Sequence, residues 1–210
     1  MTPGKRFSSK KVLEGARYLF VELLIVFVGV YLAFELNEYS HQRDTNKRRQ
    51  QLLAALTQEI DDFVQGANQV LPRIEKLNAE WHQRYNAGKR PSPLYLSIGG
   101  ADRPPRGMWQ AVQASDGLTL LPVASMQTVS DYYNALDVLL SKYATLIEFS
   151  EKEIIPLQDT GTFYRAGRRT LKPKYEAYMR RMQDWLRLFR EVQKMAEQSK
   201  ASLQEAASHQ

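Results

Sequence analysis

Glu38 and His41 stand three residues apart, the spacing with which a carboxylate and an imidazole share a metal in carboxylate-bridged di-iron bundles. Such a centre needs two of these pairs and two further inward-facing glutamates. This sequence has one copy, in a charged stretch outside any packed seam, so no metal is expected there. The three histidines, His41, His82 and His209, form no H-E-x-x-H pair, and with no cysteine there is neither a thiolate ligand set nor a cysteine nucleophile. G-x-S-x-G, P-loop and dinucleotide fingerprints are absent, and Ile98-Gly99-Gly100 reads as a loop with room to turn. Glu59, Asp61 and Asp62 read as helix surface, because spacing alone does not pick out paired catalytic carboxylates. No catalytic residue, metal or cofactor is expected, and the chain reads as non-enzymatic.

What must position these residues starts with an anchor. Residues 18–36, YLFVELLIVFVGVYLAFEL, are the only stretch long and apolar enough to cross a bilayer. Nineteen helical residues rise roughly 28 Å against a hydrocarbon core of about 30 Å. Glu22 lies one turn inside, where a carboxylate can still reach headgroups, and Leu23 to Phe34 carry no charge. A cleaved signal peptide would need an A-x-A-like site after the apolar core, and a buried soluble helix would need a polar face; neither is present. Glu22, Val26, Gly29, Ala33 and Leu36 are spaced 4, 3, 4 and 3 and so share one stripe. Gly29-x-x-x-Ala33 is a small-xxx-small pair that lets another helix approach, so Glu22, Val26, Gly29 and Ala33 are the expected helix contact, with a second copy or another membrane protein.

Five basic residues (Lys5, Arg6, Lys10, Lys11, Arg17) precede the span and four (Arg43, Lys47, Arg48, Arg49) follow it. A short basic N-terminus is hard to translocate, whereas a large following domain crosses largely regardless of charge. The expected placement is a single pass in a bacterial inner membrane, N-terminus cytoplasmic and body periplasmic. The lack of cysteine fits either compartment.

Residues 22–37, ELLIVFVGVYLAFELN, followed by a charged helix, resemble the N-terminus of a family of uncharacterised bacterial single-span membrane proteins. That family has a similar E-x-L-I-V-x-x-G-V-x-x-A-x-x-x-N pattern, matched here by Glu22, Gly29, Ala33 and Asn37. The likeness is fainter around Trp109, Gly117-Leu118 and Tyr132-Tyr133. It implies an N-terminal anchor with a helical domain, and no established activity.

The remaining chain is of ordinary size for one domain with a real core. Three segments keep a 3–4 apolar spacing: Leu53, Leu56, Ile60, Phe63, Ala67, Val70, Ile74, Leu77, Trp81; then Met126, Val129, Tyr133, Leu136, Leu140, Tyr143, Ile147, Ser150, Ile154; then Tyr175, Tyr178, Met182, Trp185, Phe189, Val192, Ala196, with Ser199, Leu203 and Ala206 behind. The expected fold is all-α: one transmembrane helix plus an antiparallel bundle of three long helices and one short helix near Gly107–Ser115. Gly88 with Pro91 and Pro93, Pro156 and Pro173 mark helix ends, and Pro72 predicts a kink or break. The organisation read from this is a basic tail (1–17), the span (18–36), a charged juxtamembrane helix (37–52) and the helical body (53–207).

An antiparallel order sends the first helix away from the membrane, brings the second back and sends the third out again. The loop from Leu157 to Lys172 is then near the bilayer. Between Leu157 and Arg190 nine basic residues stand against three acids, a net +6 that equals the whole chain's formal charge. Arg43, Lys47, Arg48 and Arg49, with Arg165, Arg168, Arg169, Lys172 and Lys174, are the expected lipid-headgroup contacts, beside the plainer reading of a solvated face. Nucleic acid is not an expected partner, since no reading motif accompanies the charge. The abundant tyrosine and tryptophan falls mostly on the seams and reads as core; Trp81 and Trp109 flank the first loop, where a pocket would be sought first. The function expected is that of a structural or accessory subunit acting through helix–helix association. The alternatives are a ligand-sensing body that signals through a partner and, third, an enzyme of unknown type.

Overall fold

The computed structural model describes the backbone of residues 9–96 and 106–208, and side chains from Glu22 onward within those ranges. Lys5, Arg6, Ile98-Gly99-Gly100 and His209 lie outside the described residues, as do the side chains of Lys10, Lys11 and Arg17. The fold is all-helical. It comprises α1 (Ser9–Asn86), α2 (Gly107–Gln113), α3 (Val123–Glu153) and α4 (Pro173–Ser208), with short 3-10 turns at Asp116–Leu120 and Thr160–Phe163. Among the described residues there is no strand, only an isolated bridge between Tyr164 and Leu171. Contacts divide the chain into two units, Met1–Arg48 and Arg49–Gln210.

The first unit is part of α1 alone. From Glu22 to Arg48 every described side chain is exposed, including the large apolar ones from Leu23 to Leu36. One helix, long and apolar enough to cross a membrane, thus carries the expected anchor. α1 runs on through residues 37–52 and through Pro72, so of the kink or break expected at Pro72 a break does not occur. Pro72 is exposed, where its ring meets solvent instead of a packed neighbour.

α1 ends in a Schellman motif. Lys89 N–H donates to the Arg84 carbonyl and Gly88 N–H to that of Tyr85, with Gly88 at φ +79°. α4 begins at Pro173, whose missing N–H falls where no helical bond is needed.

Inside the second unit all ten apolar and small positions read on α4 are buried, as are Val129, Tyr133, Leu136, Ile147, Ser150 and Ile154 around α3. The α1 seam departs from the expectation. Val70 (42 % exposed) and Leu77 (48 %) face outward; Leu71 is buried and Asn78 is half-buried. Both phases fit between Ala67 and Trp81, and the sequence favoured the more apolar pair. The helix instead turns Leu71 inward, with Asn78 following one turn on.

Helix order is the larger correction. α3 and α4 are antiparallel: Ser199 Oγ donates to Thr128 O, Trp185 Nε1 to Leu139 O, and Tyr178 Oη meets Ser150 Oγ. α1 and α4 are antiparallel too, through Asp61–Lys200, Asn68–Gln193 (2.7 Å), Glu75–Arg190 and His82–Gln183 (2.5 Å). α1 and α3 therefore run the same way. The described ends of the connection between them lie at opposite ends of the body. Leu96 N–H donates to Ser150 Oγ beyond α1's end, while Arg106 pairs with Asp137 and Met108 N–H reaches Glu59, ten residues after Arg49 where the body begins. Residues 89–106, at about 3.3 Å each, can recross the roughly 56 Å of helix from Arg49 to Asn86. The up–down–up expectation kept this loop at one end of the body; at its length it can reach the other end and reset the direction.

Candidate functional site

Glu59 is the polar centre of the core. It is only 7 % exposed, which corrects its reading as helix surface. Its carboxylate accepts from Met108 N–H (2.8 Å) and Trp109 N–H (3.4 Å) in the first turn of α2, and from the Tyr133 hydroxyl (2.5 Å). Trp109 stacks flat on Tyr133, ring centroids 5.1 Å apart at 1°, and Tyr132 leans on Tyr133 at 4.7 Å. Burial, reinforced by the Glu59 charge, pushes both hydroxyls well above the ordinary tyrosine range. They stay protonated, and Tyr133 remains a donor. The carboxylate thereby clamps α2 to α1 and α3 at once. Asp61 is half-buried and held below the usual carboxylate range, chiefly by its hydrogen bond from Lys200, while Asp62 is exposed and accepts from Gln58 (2.8 Å).

A second polar cluster closes the other end of the body. Trp81 Nε1 donates to Ser92 O (2.8 Å), Tyr164 Oη to Pro91 O (2.7 Å), and Ser150 Oγ bridges Tyr178 and Leu96. Burial raises the Tyr164 and Tyr178 hydroxyls to about 12. Trp81 stacks on Tyr85 at 4.9 Å. Trp81 and Trp109 sit at opposite ends of the return connection in closed aromatic contacts, so they do not frame one pocket.

Concave surface lies elsewhere. An open groove of about 430 Å³ runs between the start of the body's α1 and the end of α4, lined by Leu53, Ala54, Asp61, Lys200 and Gln204 among others. A smaller hollow of about 290 Å³ on α1 includes Glu38 and His41, with Glu38 bonded to Gln42 (3.2 Å). Among the described residues no three His, Asp or Glu side chains are grouped to hold a metal.

Glu22, Val26, Gly29 and Ala33 are all exposed on α1, and a Cβ added at Gly29 would meet nothing within 4 Å. Arg43, Lys47 and Arg48 are exposed and Arg49 half-buried. Arg165, Arg168 and Arg169 are exposed in the turn bounded by Tyr164 and Leu171; Lys172 is half-buried, and Lys174 pairs with Glu153 (2.5 Å). The turn is a small hairpin: Arg165 N–H donates to Thr170 O, Lys172 N–H to Phe163 O, and Gly167 takes φ +65° at its tip. Phe163, Tyr164 and Leu171 are buried beneath it.

The hairpin lies against the Asn86 end of α1. The Arg90 guanidinium sits 5.8 Å from the Tyr164 ring centroid, and a Cβ at Gly88 would come within 2.7 Å of Arg169 Nη1. Within the body this is the end remote from Arg49, so the depth argument that grouped these cations with Arg43 to Arg49 no longer holds. Sequence spacing missed Arg84, Lys89 and Arg90 as their neighbours, since only the tertiary fold brings the two segments together.

Compared with known proteins, the chain matches no family model, no curated protein and no solved structure.

Proposed function

We propose that this chain is a single-pass membrane protein of a bacterial inner membrane, N-terminus cytoplasmic and body periplasmic. In this reading its body is a helical bundle, and it acts without catalysis as a structural or accessory subunit, by associating with a second copy or another membrane protein. The observation that carries the reading is the run from Leu23 to Leu36, whose large apolar side chains are all exposed on a continuous helix. Exposed apolar surface on that scale is unfavourable in water at about 25 cal/mol per Å² and needs lipid or another helix to cover it. The Glu22, Val26, Gly29, Ala33 stripe is where a second helix approaches most closely, because Gly29 leaves open space above the backbone. The resemblance of residues 22–37 to single-span proteins supports the same location.

The test is the assembly state of the full chain in mild detergent. A fixed stoichiometry that Gly29→Leu or Glu22→Leu disrupts supports the reading; assembly unchanged by both removes the span contact.

A further inference from the structure

We propose that the end of the body formed by the α1 terminus and the 164–171 hairpin is a docking surface for an anionic lipid bilayer. Two segments far apart in sequence converge there. Arg84, Lys89 and Arg90 come from the close of α1, and Arg165, Arg168 and Arg169 from the hairpin; all six are exposed. Arg90 over Tyr164 and Arg169 against Gly88 fix the convergence. Ion pairs do form among the described residues, by Lys174, Arg187, Arg190 and Lys200 for instance, yet none includes any of these six. Six cations brought together with no ion pair of their own among the described residues repel one another, a cost that an anionic partner relieves.

The surroundings decide which anion. Ile155, 47 % exposed, caps the turn after α3, and Tyr95, 59 % exposed, precedes the Leu96 that bonds Ser150 on the same helix end. An exposed aliphatic residue and an exposed tyrosine at the same end of the body as a basic cluster suit the interfacial zone of a bilayer, where the apolar groups enter the headgroup layer and guanidinium groups meet phosphates. Nucleic acid asks for a groove or a row of stacking aromatics, and this end offers an exposed arginine tip with one tyrosine. The hairpin's buried base, Phe163, Tyr164 and Leu171, holds the tip in place before any contact. The contact is made about 50 Å along α1 from Arg49, where the chain leaves the body.

The experiment holds the full chain in neutral phosphatidylcholine nanodiscs and measures retention on separate sedimenting vesicles. Vesicles with about one third phosphatidylglycerol are compared with pure phosphatidylcholine. Retention on the anionic vesicles alone is expected, weakening as salt rises from 0.05 to 0.3 M. The triple variant K89Q/R165Q/R168Q, at side chains with no ion-pair role, is expected to lower affinity by about 100-fold, since each cation near such a surface contributes about a factor of five. The variant R73Q/K142Q/K194Q removes the same charge elsewhere on the surface and is expected to leave retention unchanged. Equal losses in both variants, no retention on anionic vesicles, or tighter binding to a DNA or RNA oligomer at matched ionic strength would each overturn the proposal. Because the span stays in the nanodisc, these outcomes are independent of whether Gly29 mediates association.

Discussion

Glu59 precedes Ile60, which is fully buried, and is followed by Asp61 and Asp62, so in sequence it looks like part of an acidic helix surface. What buries it is α2, a seven-residue helix from across the body whose first N–H groups and neighbouring tyrosine supply the donors. No local pattern announces a partner 49 residues away. Glu59→Ala leaves those donors buried without an acceptor and is expected to destabilise the body by about 3 kcal/mol. That lowers the melting temperature by roughly 6–12 °C for a body of this size. Tyr133→Phe removes one donor and should take away about half as much; a thermal melt in which Glu59→Ala is silent would refute the clamp.

The tyrosines add a pH signature. Tyr132, Tyr133, Tyr164 and Tyr178 all titrate above their ordinary value because they are buried. The unfolded chain, with tyrosines near 10, therefore gives up protons first. Their stabilisation is complete below about pH 10 and falls as pH rises toward 12 and beyond. Melting temperature should be level to about pH 9.5 and then drop, with Tyr178→Phe softening the drop.

At the scale of elements, the helical class, the end of α1 and the start of α4 were legible, while the single continuous α1 through Pro72 was not. Pro173, Gly88 and the 3–4 spacing on α4 led to the observed boundaries and buried face, because each acts through its own backbone or its own helix. The phase of α1 was not legible between Ala67 and Trp81, where apolarity favoured Val70 and Leu77 while packing chose Leu71. A better signal lay in the polar residues: Asp61, Asn68, Glu75 and His82 recur every seven positions, and all four meet α4. Such flanking pairs add little energy individually but fix which face of a helix meets its neighbour. Leu71→Ala is accordingly expected to destabilise by about 2–4 kcal/mol and Val70→Ala by less than about 0.5, measured by chemical denaturation. Equal effects would restore the other phase.

For the whole molecule, chain direction was the feature furthest from the sequence. A Pro- and Gly-punctuated stretch after Asn86 looks like a loop, but its length, not its composition, lets α3 run parallel to α1. That one difference carries the basic hairpin to the Asn86 end of the body and places it beside Arg84, Lys89 and Arg90. The apolar run at the N-terminus, in contrast, was plain from composition, because a bilayer reads hydropathy and length alone. The proposed single pass is open to a direct measurement, since the chain has no cysteine of its own. Ser8→Cys and Ser208→Cys each give a unique thiol for a membrane-impermeant maleimide applied to intact spheroplasts. The account predicts that position 208 reacts at once and position 8 only after the membrane is broken. Both thiols reacting alike in intact cells, or the protein recovered in the soluble fraction, would contradict it.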